Sequence, residues 1–436
     1  MRLPQSPPAF QTAVQHLLAD PKAALLIVNT VELPDAYLHW DELRHRDPPA
    51  GLDHERWWAV LRLRRAASAR PFSVLGAGFS YNLPDEALEL LRRIDQACGQ
   101  QVGVVSPDRR FRDRATFLAN ARREEAVQSS LLEGAATTRL IAKEMLRTGR
   151  PPLTTGERMI RNNHEALTWV AERQDEPLTL FGLQELHRVI TRETVEPLQE
   201  GRVQQPEDQR VAVVDRVTGT LLHRPPPAAE LPQRLESLCA FCRGEGPWLH
   251  PIVRACLAHF ALAWLHPFYD GNGRLARSLF YLVAKSNGYW PVEYLPISRR
   301  LREAPQQYAR AFLHTESDGG DITYFLLHHL RVLSRALDDF HAYAERKEAE
   351  VRSTQALLHE RADLNHRQHA LLQHALRHPQ QRYTIKSHQN SHRVAYATAR
   401  ADLLGLVEGA LLVQGQRGRA MVFTPAPALA ELLQGR

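Results

Sequence analysis

The most constraining feature of this chain is the stretch HPFYDGNGRLAR at residues 266–277. It lies between two segments with helical patterns, the strongly apolar 251–265 and the amphipathic 274–287. Because proline disfavours helical geometry in the residue before it, the first helix is expected to end at His266. The Asp-Gly-Asn-Gly that follows predicts a tight loop leading into the N-terminus of the second helix.

This loop has the chemistry of an anion site. A helix N-terminus presents unpaired N–H groups and the positive end of the helix dipole, and Gly271 and Gly273 let an anion approach them. Arg274 and Arg277 are three residues apart, so both guanidiniums are expected to rise from one helix face and to hold different phosphates of a polyphosphate.

Two further side chains supply a metal ligand and a base. Asp270 offers a hard oxygen ligand suited to a Mg²⁺ ion that bridges phosphates and keeps most of its water. His266, at the other end of the loop, is placed to take a proton from an attacking hydroxyl. Together with the arginines, these residues predict phosphate transfer.

The stretch HPFYDGNGRLAR resembles the Fic motif, HPFx(D/E)GNGRxxR, at every defining position. The resemblance implies transfer of AMP from ATP to a Ser, Thr or Tyr hydroxyl of a protein target, with Mg²⁺. It implies His266 as the catalytic base and Asp270 as the metal ligand. The implied ATP-binding residues are Gly271, Asn272, Gly273, Arg274, Arg277 and Tyr308. Relatives tend to carry a Tyr-Tyr pair near the adenine, and the first position of that pair is Gln307 here.

A second pattern lies upstream in the predicted helix 122–137, which reads SSLLEG from Ser129 to Gly134. The helix dipole disfavours an acid near the C-terminal end unless a cation meets it, so Glu133 needs a partner. The pattern resembles the inhibitory motif (S/T)xxxE(G/N), which precedes the catalytic core in one group of Fic proteins. The resemblance implies that Glu133 pairs with Arg277 and blocks productive seating of the γ-phosphate.

Residues 211–223 have the pattern of a β-hairpin, with two β-branched or apolar runs separated by the turn DRVTG. In Fic proteins such a hairpin, about residues 210–224 here, forms a flap over the active site. The resemblance implies an exposed edge that pairs with the backbone of the target. That edge would consist of Val211, Ala212, Val213 and Val214. A purely structural hairpin is the alternative.

Composition and length bound the rest of the chain. With 436 residues, 44% of them apolar and 24% charged, the chain has room for two or three globular domains. The predicted domains are an N-terminal helical region (1–110), a Fic catalytic domain (111–350) and a winged-helix domain (355–436). The longest apolar runs, such as Ala23–Val28, fall well short of the roughly 20 residues of a membrane span. We therefore expect a cytoplasmic protein without membrane contact.

Several side chains are expected to serve packing. The N-terminal region predicts helices at 53–66, capped by Asp53, and at 84–98, with Trp57 and Trp58 in the core. A CxxC pair has no second pair to complete a metal site, so the cysteines are expected to be buried helix thiols. They are Cys98, Cys239, Cys242 and Cys256.

The C-terminal segment, residues 364–425, reads as helical pieces followed by a hairpin: helices at 367–376 and 387–409, then a turn at 415–419. This order resembles winged-helix domains appended to Fic proteins. Residues 351–436 carry eleven Lys and Arg against five Asp and Glu, an excess equal to the whole formal net charge of +6.

That charge fits attraction to phosphates. DNA contact through residues 380–420, with Lys386, Thr398 and Arg400 facing the groove, is one interpretation. Docking of a protein, including self-association, is the other. The seven histidines within 359–392 are expected to be solvated helix positions.

The sequence therefore predicts a mainly α-helical protein with a Fic-type core, a β-hairpin flap, an N-terminal helical extension and a C-terminal winged helix. Its predicted function is protein adenylyltransferase, autoinhibited by Glu133. Two alternatives stay open. One is another Fic reaction, such as phosphotransfer or removal of AMP. The other is a DNA-binding regulator that uses the Fic core as a nucleotide sensor.

Overall fold

The protein divides into two compact units, Met1–Asp338 and Asp339–Arg436. The computed structural model describes residues 2–20, 37–104, 114–215, 217–289, 292–293, 295–359, 364–378, 380–417, 420–427 and 429–433. The predicted domain boundary at 110/111 lies outside these residues, and the one at 350–355 lies within the helix Thr323–His359. Among the described residues, no helix combines the length and apolarity needed to cross a bilayer.

The N-terminal region is helical. Asp53 Oδ1 accepts a hydrogen bond from Arg56 N at 2.8 Å, and Trp57 and Trp58 are buried, so the predicted cap and core positions are confirmed. Its elements are α1 (Phe10–Leu18), α2 (Trp40–Leu43), α3 (His54–Ser68), the antiparallel strands β1 (Arg70–Pro71) and β2 (Ser80–Tyr81), and α4 (Asp85–Val104).

The next four helices precede the loop 266–273 in the chain. They are α5 (Arg114–Leu132), α6 (Arg139–Thr148), α7 (Thr155–Glu172) and α8 (Leu180–Thr191). Three of them begin after a threonine whose hydroxyl accepts a backbone N–H of the first turn, which satisfies one of the unpaired donors there. These caps are Thr138, Thr154 and Thr179.

The predicted hairpin is present but short. Strand β3 (Val213–Val214) pairs antiparallel with β4 (Leu221–His223). Val211 and Ala212, predicted as part of the edge, lie outside the strand. The preceding residue, Arg210, donates hydrogen bonds to Leu265 O, at the end of the helix Pro251–Leu265, and to Pro226 O, after the hairpin.

Three helices form the centre of the first unit: α9 (Leu231–Cys242), α10 (Pro251–Leu265) and α11 (Asn272–Ser286). Every residue from Ile252 to Leu262 is buried, as expected for a helix that is apolar on all faces. Helix α10 packs along α11. All four cysteines are free and buried.

The first unit ends with α12 (Ile297–Glu303), α13 (Pro305–Ser317) and the start of α14 (Thr323–His359). Asp321 Oδ1 accepts a hydrogen bond from Thr323 N at 3.0 Å and so caps α14.

The second unit has the predicted order of helices followed by a hairpin. Its elements after α14 are α15 (His366–Arg377), α16 (Ile385–His392), α17 (Tyr396–Glu408), the antiparallel strands β5 (Leu412–Arg417) and β6 (Ala420–Pro425), and α18 (Leu429–Leu433). Tyr383 forms an isolated β-bridge with Phe423. The core of the second unit contains Phe423 together with Leu372, Leu403 and Leu406. Residues 418–419 of the predicted turn lie outside the described residues.

Two expectations for this unit are corrected. The helix predicted at 387–409 is two helices, because Arg393 adopts a φ of 51° and this left-handed conformation ends α16. His388, expected in solvent, is buried with its Nε2 3.2 Å from Asp402 Oδ2, because it joins a polar network at the centre of the unit.

Candidate functional site

His266 follows the last residue of α10 in a left-handed conformation, with φ 45° and ψ 54°. Residues other than glycine rarely adopt this region. The N–H of His266 still donates to Leu262 O at 3.0 Å and closes the last turn. Pro267 has no N–H with which to continue the helix, so the chain turns sharply at the imidazole.

The imidazole of His266 is half-buried, and its Nδ1 lies 3.4 Å from Ala263 O. Burial lowers the pKa of His266 to about 4; Arg210 and His223 act in the same direction, while the Ala263 carbonyl and the Glu133 carboxylate oppose them. The ring is therefore neutral at pH 7. In the tautomer that donates Nδ1–H to Ala263, the Nε2 lone pair is left to accept a proton.

Asn272 closes the loop between the two central helices. Its Oδ1 accepts a hydrogen bond from Phe268 N at 3.0 Å, and its Nδ2 donates to Phe268 O at 2.8 Å. The family resemblance implied a role for Asn272 in binding the transferred phosphate. Because its side chain spans the loop, its contribution to an anion site comes from its backbone N–H.

Gly271 precedes α11 with a φ of 78°, and a Cβ at this position would lie 2.8 Å from Thr191 Cγ2. Glycine alone fits here without strain. Asp270 Oδ1 accepts a hydrogen bond from Gly271 N at 2.6 Å, and the Asp270 side chain is 58% exposed. Its carboxylate is thus held at the loop and is still accessible from solvent.

Glu133 lies over the first turn of α11. A Cβ built on Gly273 would collide with the Glu133 carboxylate, so that carboxylate sits directly against the Gly273 backbone. This end of the helix presents unpaired N–H groups and favours negative charge. A carboxylate therefore occupies the place where the sequence predicts an anion site.

Arg277 binds the same glutamate. Its Nη2 donates to Glu133 Oε1 at 2.9 Å and to Ser129 O at 3.1 Å, and its Nε donates to Ser129 Oγ at 2.8 Å. The Arg277 side chain is 1% exposed, and its buried Nη1 has no hydrogen-bond partner in the described part of the chain. The Glu133 to Arg277 pair is present, and one guanidinium nitrogen remains to bind another oxygen.

Arg274 has different partners. Its Nη1 donates to Ile190 O at 3.1 Å, its Nη2 lies 3.4 Å from Asp270 Oδ2, and its side chain is fully buried. The sequence predicted that Arg274 and Arg277 rise together beside the loop. In the structure Arg274 contacts the end of α8 and Asp270, whereas Arg277 contacts α5.

The end of α5 explains why a glycine follows Glu133. Gly134 has a φ of 90°, its N–H donates to Leu131 O at 3.0 Å, and Ala135 N donates to Ser130 O at 3.0 Å. This pair of bonds is a Schellman motif, whose left-handed residue is usually glycine. Gly134 thereby fixes the point at which the chain leaves α5, directly after Glu133.

Sequence reasoning missed His187, which supports the loop from α8. Its ring stacks on Phe268 with the ring centroids 3.7 Å apart, and its Nδ1 accepts a hydrogen bond from Gly201 N at 3.1 Å. Its Nε2 therefore carries the proton and donates to Asp270 O at 2.8 Å. Burial lowers the pKa of His187 to about 4. A single histidine on an amphipathic helix gave no specific signal of this role.

Tyr308, on α13, lies close to the Glu133 to Arg277 pair. Its hydroxyl is 2.9 Å from His259 Nε2. Burial raises the pKa of Tyr308 to about 12, with Arg277 opposing the shift and Glu133 adding to it. Contact with adenine stays a prediction.

The flap presents apolar side chains to solvent. Val214 is 48% exposed, Leu221 43% and Val217, at the tip, 94%. Pairing of this edge with a target backbone stays a prediction.

The part of the chain that contains this site matches a known protein family. Residues 177–284 match the Fic/DOC family. The chain carries a Fic domain. The matched residues run from just before α8 to Ala284 in α11, so they include the flap and the whole of 266–277.

Two relatives of this chain are named as protein adenylyltransferases. The chain is 26% identical over 259 residues to "Protein adenylyltransferase Fic" of Nematostella vectensis, an alignment of 58% of this chain and 56% of that protein. It is 48% identical over 52 residues to "Protein adenylyltransferase fic-1" of Caenorhabditis elegans, covering 12% of this chain and 10% of that protein. The chain thus spans about half the length, or less, of these curated relatives.

A solved structure shows the same fold. The chain resembles a Fic family protein from Desulfovibrio desulfuricans with a TM-score of 0.56 and 19% sequence identity, covering 79% of this chain and 96% of that one. The predicted Fic-type, mainly α-helical fold is confirmed.

Proposed function

We propose that this protein is an adenylyltransferase that transfers AMP from ATP to the hydroxyl of a protein target. The observation that carries the proposal is the anion site at the start of α11. There the Glu133 carboxylate lies against Gly273 and pairs with Arg277, and His266 begins the same loop. The names of the relatives of the Fic domain support this reaction.

In the proposed reaction, His266 Nε2 accepts the proton of a Ser, Thr or Tyr hydroxyl while the hydroxyl oxygen bonds to the α-phosphorus. The bond from that phosphorus to the oxygen bridging to the β-phosphate breaks, and pyrophosphate leaves with the electron pair. The backbone N–H groups of Asn272 and Gly273 stabilise the charge on the α-phosphate.

The outer phosphates and the adenine need further residues. Arg277 would bind the γ-phosphate through Nη2, which now donates to Glu133, and through Nη1. Arg274 would orient Asp270 and add positive charge beside the phosphates. Tyr308, next to Arg277, is proposed to border the adenine.

Asp270 fits a Mg²⁺ ion. Its carboxylate is a hard oxygen ligand that is more than half exposed at the loop. Within the described residues no group of three or more His, Cys, Asp or Glu could form an all-protein metal cage. One carboxylate with phosphate oxygens and water is the coordination that Mg²⁺ commonly takes in nucleotide sites. The ion would supply charge neutralisation between the phosphates.

Glu133 is proposed to inhibit the reaction by occupying the γ-phosphate position. A preference of ~3 kcal/mol for the blocked state would leave about 1% of the molecules competent, so removing the carboxylate would raise the rate on the order of a hundredfold.

Transfer of label from ATP tests the proposal. Wild type and Glu133→Gly would be incubated with α-³²P-ATP or γ-³²P-ATP and cell lysate. We expect protein-bound label from the α form alone, rising about a hundredfold in Glu133→Gly and lost when His266→Ala is added. Glu144→Gly, which alters an exposed glutamate of α6, is the matched control for Glu133→Gly.

The label distinguishes the reactions. Label from γ-³²P-ATP would replace the proposal with phosphotransfer. Loss of label from a pre-modified target, faster than in His266→Ala, would indicate removal of AMP. No label from either nucleotide in Glu133→Gly would favour the nucleotide-sensor function.

We also propose that the second unit is a winged helix that contacts DNA through residues 380–420. Lys386 on α16 and Arg400 on α17 are exposed, and residues 351–436 carry the whole formal excess of positive charge. Binding should weaken steeply with salt and fall further in Lys386→Gln/Arg400→Gln. A mobility shift assay checks this, and a concentration-dependent change in sedimentation without a shift would favour self-association.

A further inference from the structure

The carbonyl end of α10 is held by groups outside the helix. The last carbonyls of a helix, and those in the turn after it, lack donors within the helix and must find others. Four consecutive ones do so here with donors from residues 204–223. They are the carbonyls of Trp264, Leu265, His266 and Pro267.

Arg210, at the start of the flap, bonds to two of these carbonyls. Its Nη2 donates to Leu265 O at 2.8 Å and its Nη1 lies 3.3 Å from His266 O. Its Nε donates to Pro226 O, on the other side of the hairpin, at 2.8 Å, and its Nη1 also bonds to Gln204 Oε1. The Arg210 guanidinium therefore links both ends of the flap to the end of α10 at Leu265 and His266.

His223, on β4, bonds to a third carbonyl. Its Nε2 lies 2.7 Å from Trp264 O, and its Nδ1 lies 2.6 Å from Glu316 Oε1 on α13. The His223 side chain is 11% exposed. The ring thus links the second strand of the flap to α10 and to the helix that carries Tyr308.

We propose that Arg210 and His223 are positioning residues: from the base of the flap they bind the carbonyl end of α10 and hold His266 in its left-handed conformation. The inference rests on the proposed function, in which His266 is the base. A left-handed histidine is unfavourable by itself, so bonds to its own carbonyl and to the two before it determine whether it persists. The flap that would present the target hydroxyl is thereby tied to the group that takes its proton.

Charge around the ring supports the same arrangement. Among the described residues, Arg210 and His223 from the flap and Glu133 at the end of α5 act electrostatically on His266. Burial is the main cause of its low pKa, and Arg210 adds to it. Loss of Arg210 would therefore raise the pKa of His266 and move the acid limb of the rate profile to higher pH.

Kinetics in the Glu133→Gly background test the inference, with circular dichroism checking that each variant folds. We expect Arg210→Met and His223→Phe to lower kcat for AMP transfer on the order of 10- to 100-fold, with a smaller change in the KM for ATP. Arg210→Met should also shift the acid limb upwards. Arg210→Lys should lower kcat but leave the acid limb in place, because it keeps the charge without the forked bonds.

The matched control is Arg243→Met. Arg243, on the C-terminal side of α9, also donates to a main-chain carbonyl, Leu178 O, at 2.7 Å, and pairs with Glu245. Its loss should leave kcat and the pH profile unchanged. A drop as large as that in Arg210→Met would overturn the inference, because any lost tether would then have the same effect.

Other outcomes separate the inference from the function. Transfer by Glu133→Gly with unchanged kcat and acid limb in Arg210→Met would overturn the inference alone. If Glu133→Gly transfers nothing, the proposed function fails, and the backbone ¹³C chemical shifts of His266, which report its φ and ψ, decide the inference. A change of these shifts away from left-handed values in Arg210→Met and Arg210→Lys, but not in Arg243→Met, would support it; unchanged shifts would refute it.

Discussion

At the scale of single residues, the proposed inhibition is a competition between Glu133 and the γ-phosphate for one cation. Both are anions, and Arg277, which pairs with the Glu133 carboxylate, is the proposed ligand of that phosphate. Arg277 is buried, so replacing one anion by another keeps its charge compensated, whereas removing both leaves a buried cation without a partner. We therefore propose that Arg277 can pair with either a carboxylate or a phosphate.

Arg277→Ala should remove inhibition and weaken ATP binding together. Two charge-assisted hydrogen bonds contribute about 3 kcal/mol, so in the Glu133→Gly background we expect the Kd for ATP to rise on the order of 100-fold. The Kd for AMP, which lacks the outer phosphates, should change little. Isothermal titration calorimetry measures both.

Calorimetric titration of ATP into the wild-type protein, which keeps Glu133, is the control. Wild type should bind ATP more weakly than Glu133→Gly, because Glu133 must leave Arg277 first. An ATP affinity that Arg277→Ala leaves unaltered would contradict the proposed link between Glu133, Arg277 and the γ-phosphate.

At the scale of secondary structure, the proposed inhibition would depend on where α5 ends and how it is held. Glu125, two turns before Glu133, is buried and accepts hydrogen bonds from Ser298 N at 3.0 Å and from Ser298 Oγ at the start of α12. Arg139 and Lys143 on α6 pair with Glu124. Helix α5 is thus fixed to two neighbouring helices, and the Glu133 carboxylate is carried at its C-terminal end.

Gly134→Ala should disturb this end of the helix. An alanine at a φ of 90° is strained, so we expect a loss of stability of about 1–2 kcal/mol. The chain can relieve the strain by unwinding the last turn, which moves Glu133 from Arg277 and raises basal transfer. Thermal unfolding and the α-³²P-ATP assay measure the two effects.

Gly182→Ala is the matched control for that substitution. Gly182 lies in the first turn of α8 with a helical backbone, and a Cβ there would be 3.5 Å from its nearest neighbour, Thr179 Oγ1. We expect it to stabilise the protein by about 0.5–1 kcal/mol and to leave transfer unchanged. Equal activation in both variants would argue against the conformational role of Gly134.

At the scale of the whole molecule, each unit has its own core. The second unit is built around a buried carboxylate, Asp402 on α17. It accepts hydrogen bonds from Arg367 at 2.6 and 2.9 Å and from Asn365 at 2.8 Å, and His388 Nε2 lies at 3.2 Å. Three helices therefore meet at one side chain, which a pattern of apolar residues could not indicate.

The stability of the second unit should depend on Asp402 and on pH. Burial acts to raise the pKa of Asp402, but the bonds from Arg367, Asn365 and His388 lower it to about 2. A folded-state pKa below the unfolded value contributes stability above pH 4 that is lost as pH falls towards 2. The contribution is about 2 kcal/mol.

Calorimetric unfolding of the full chain measures this contribution. Asp402→Asn should lower the transition of the second unit at pH 7, and the difference from wild type should shrink between pH 4 and pH 2. The exposed Asp47→Asn should have an effect within about 0.5 kcal/mol at every pH. A pH-independent effect of Asp402→Asn would contradict the proposed ionic role.

Local chemistry made much of the fold readable from the sequence. The apolar pattern of 251–265 and the proline after His266 predicted a buried helix and its end, and both are observed. The Asp53 cap and the hairpin followed from side-chain chemistry within a few residues. The break at Arg393 and the burial of His388 did not, because a left-handed arginine and a buried histidine are decided by packing with distant residues.

The sequence by itself determined the identity and order of the groups in the proposed phosphate site, because a loop, a helix start and residues three apart on a helix are local geometry. It also indicated that Glu133 needs a cation. The tertiary structure decided which arginine pairs with which carboxylate. Arg274 contacts Asp270 and the end of α8, whereas Arg277 contacts Ser129 and Glu133. The tertiary structure alone brought Arg210 and His223 to the carbonyls around His266, because contacts between residues far apart in the chain depend on how buried helices pack.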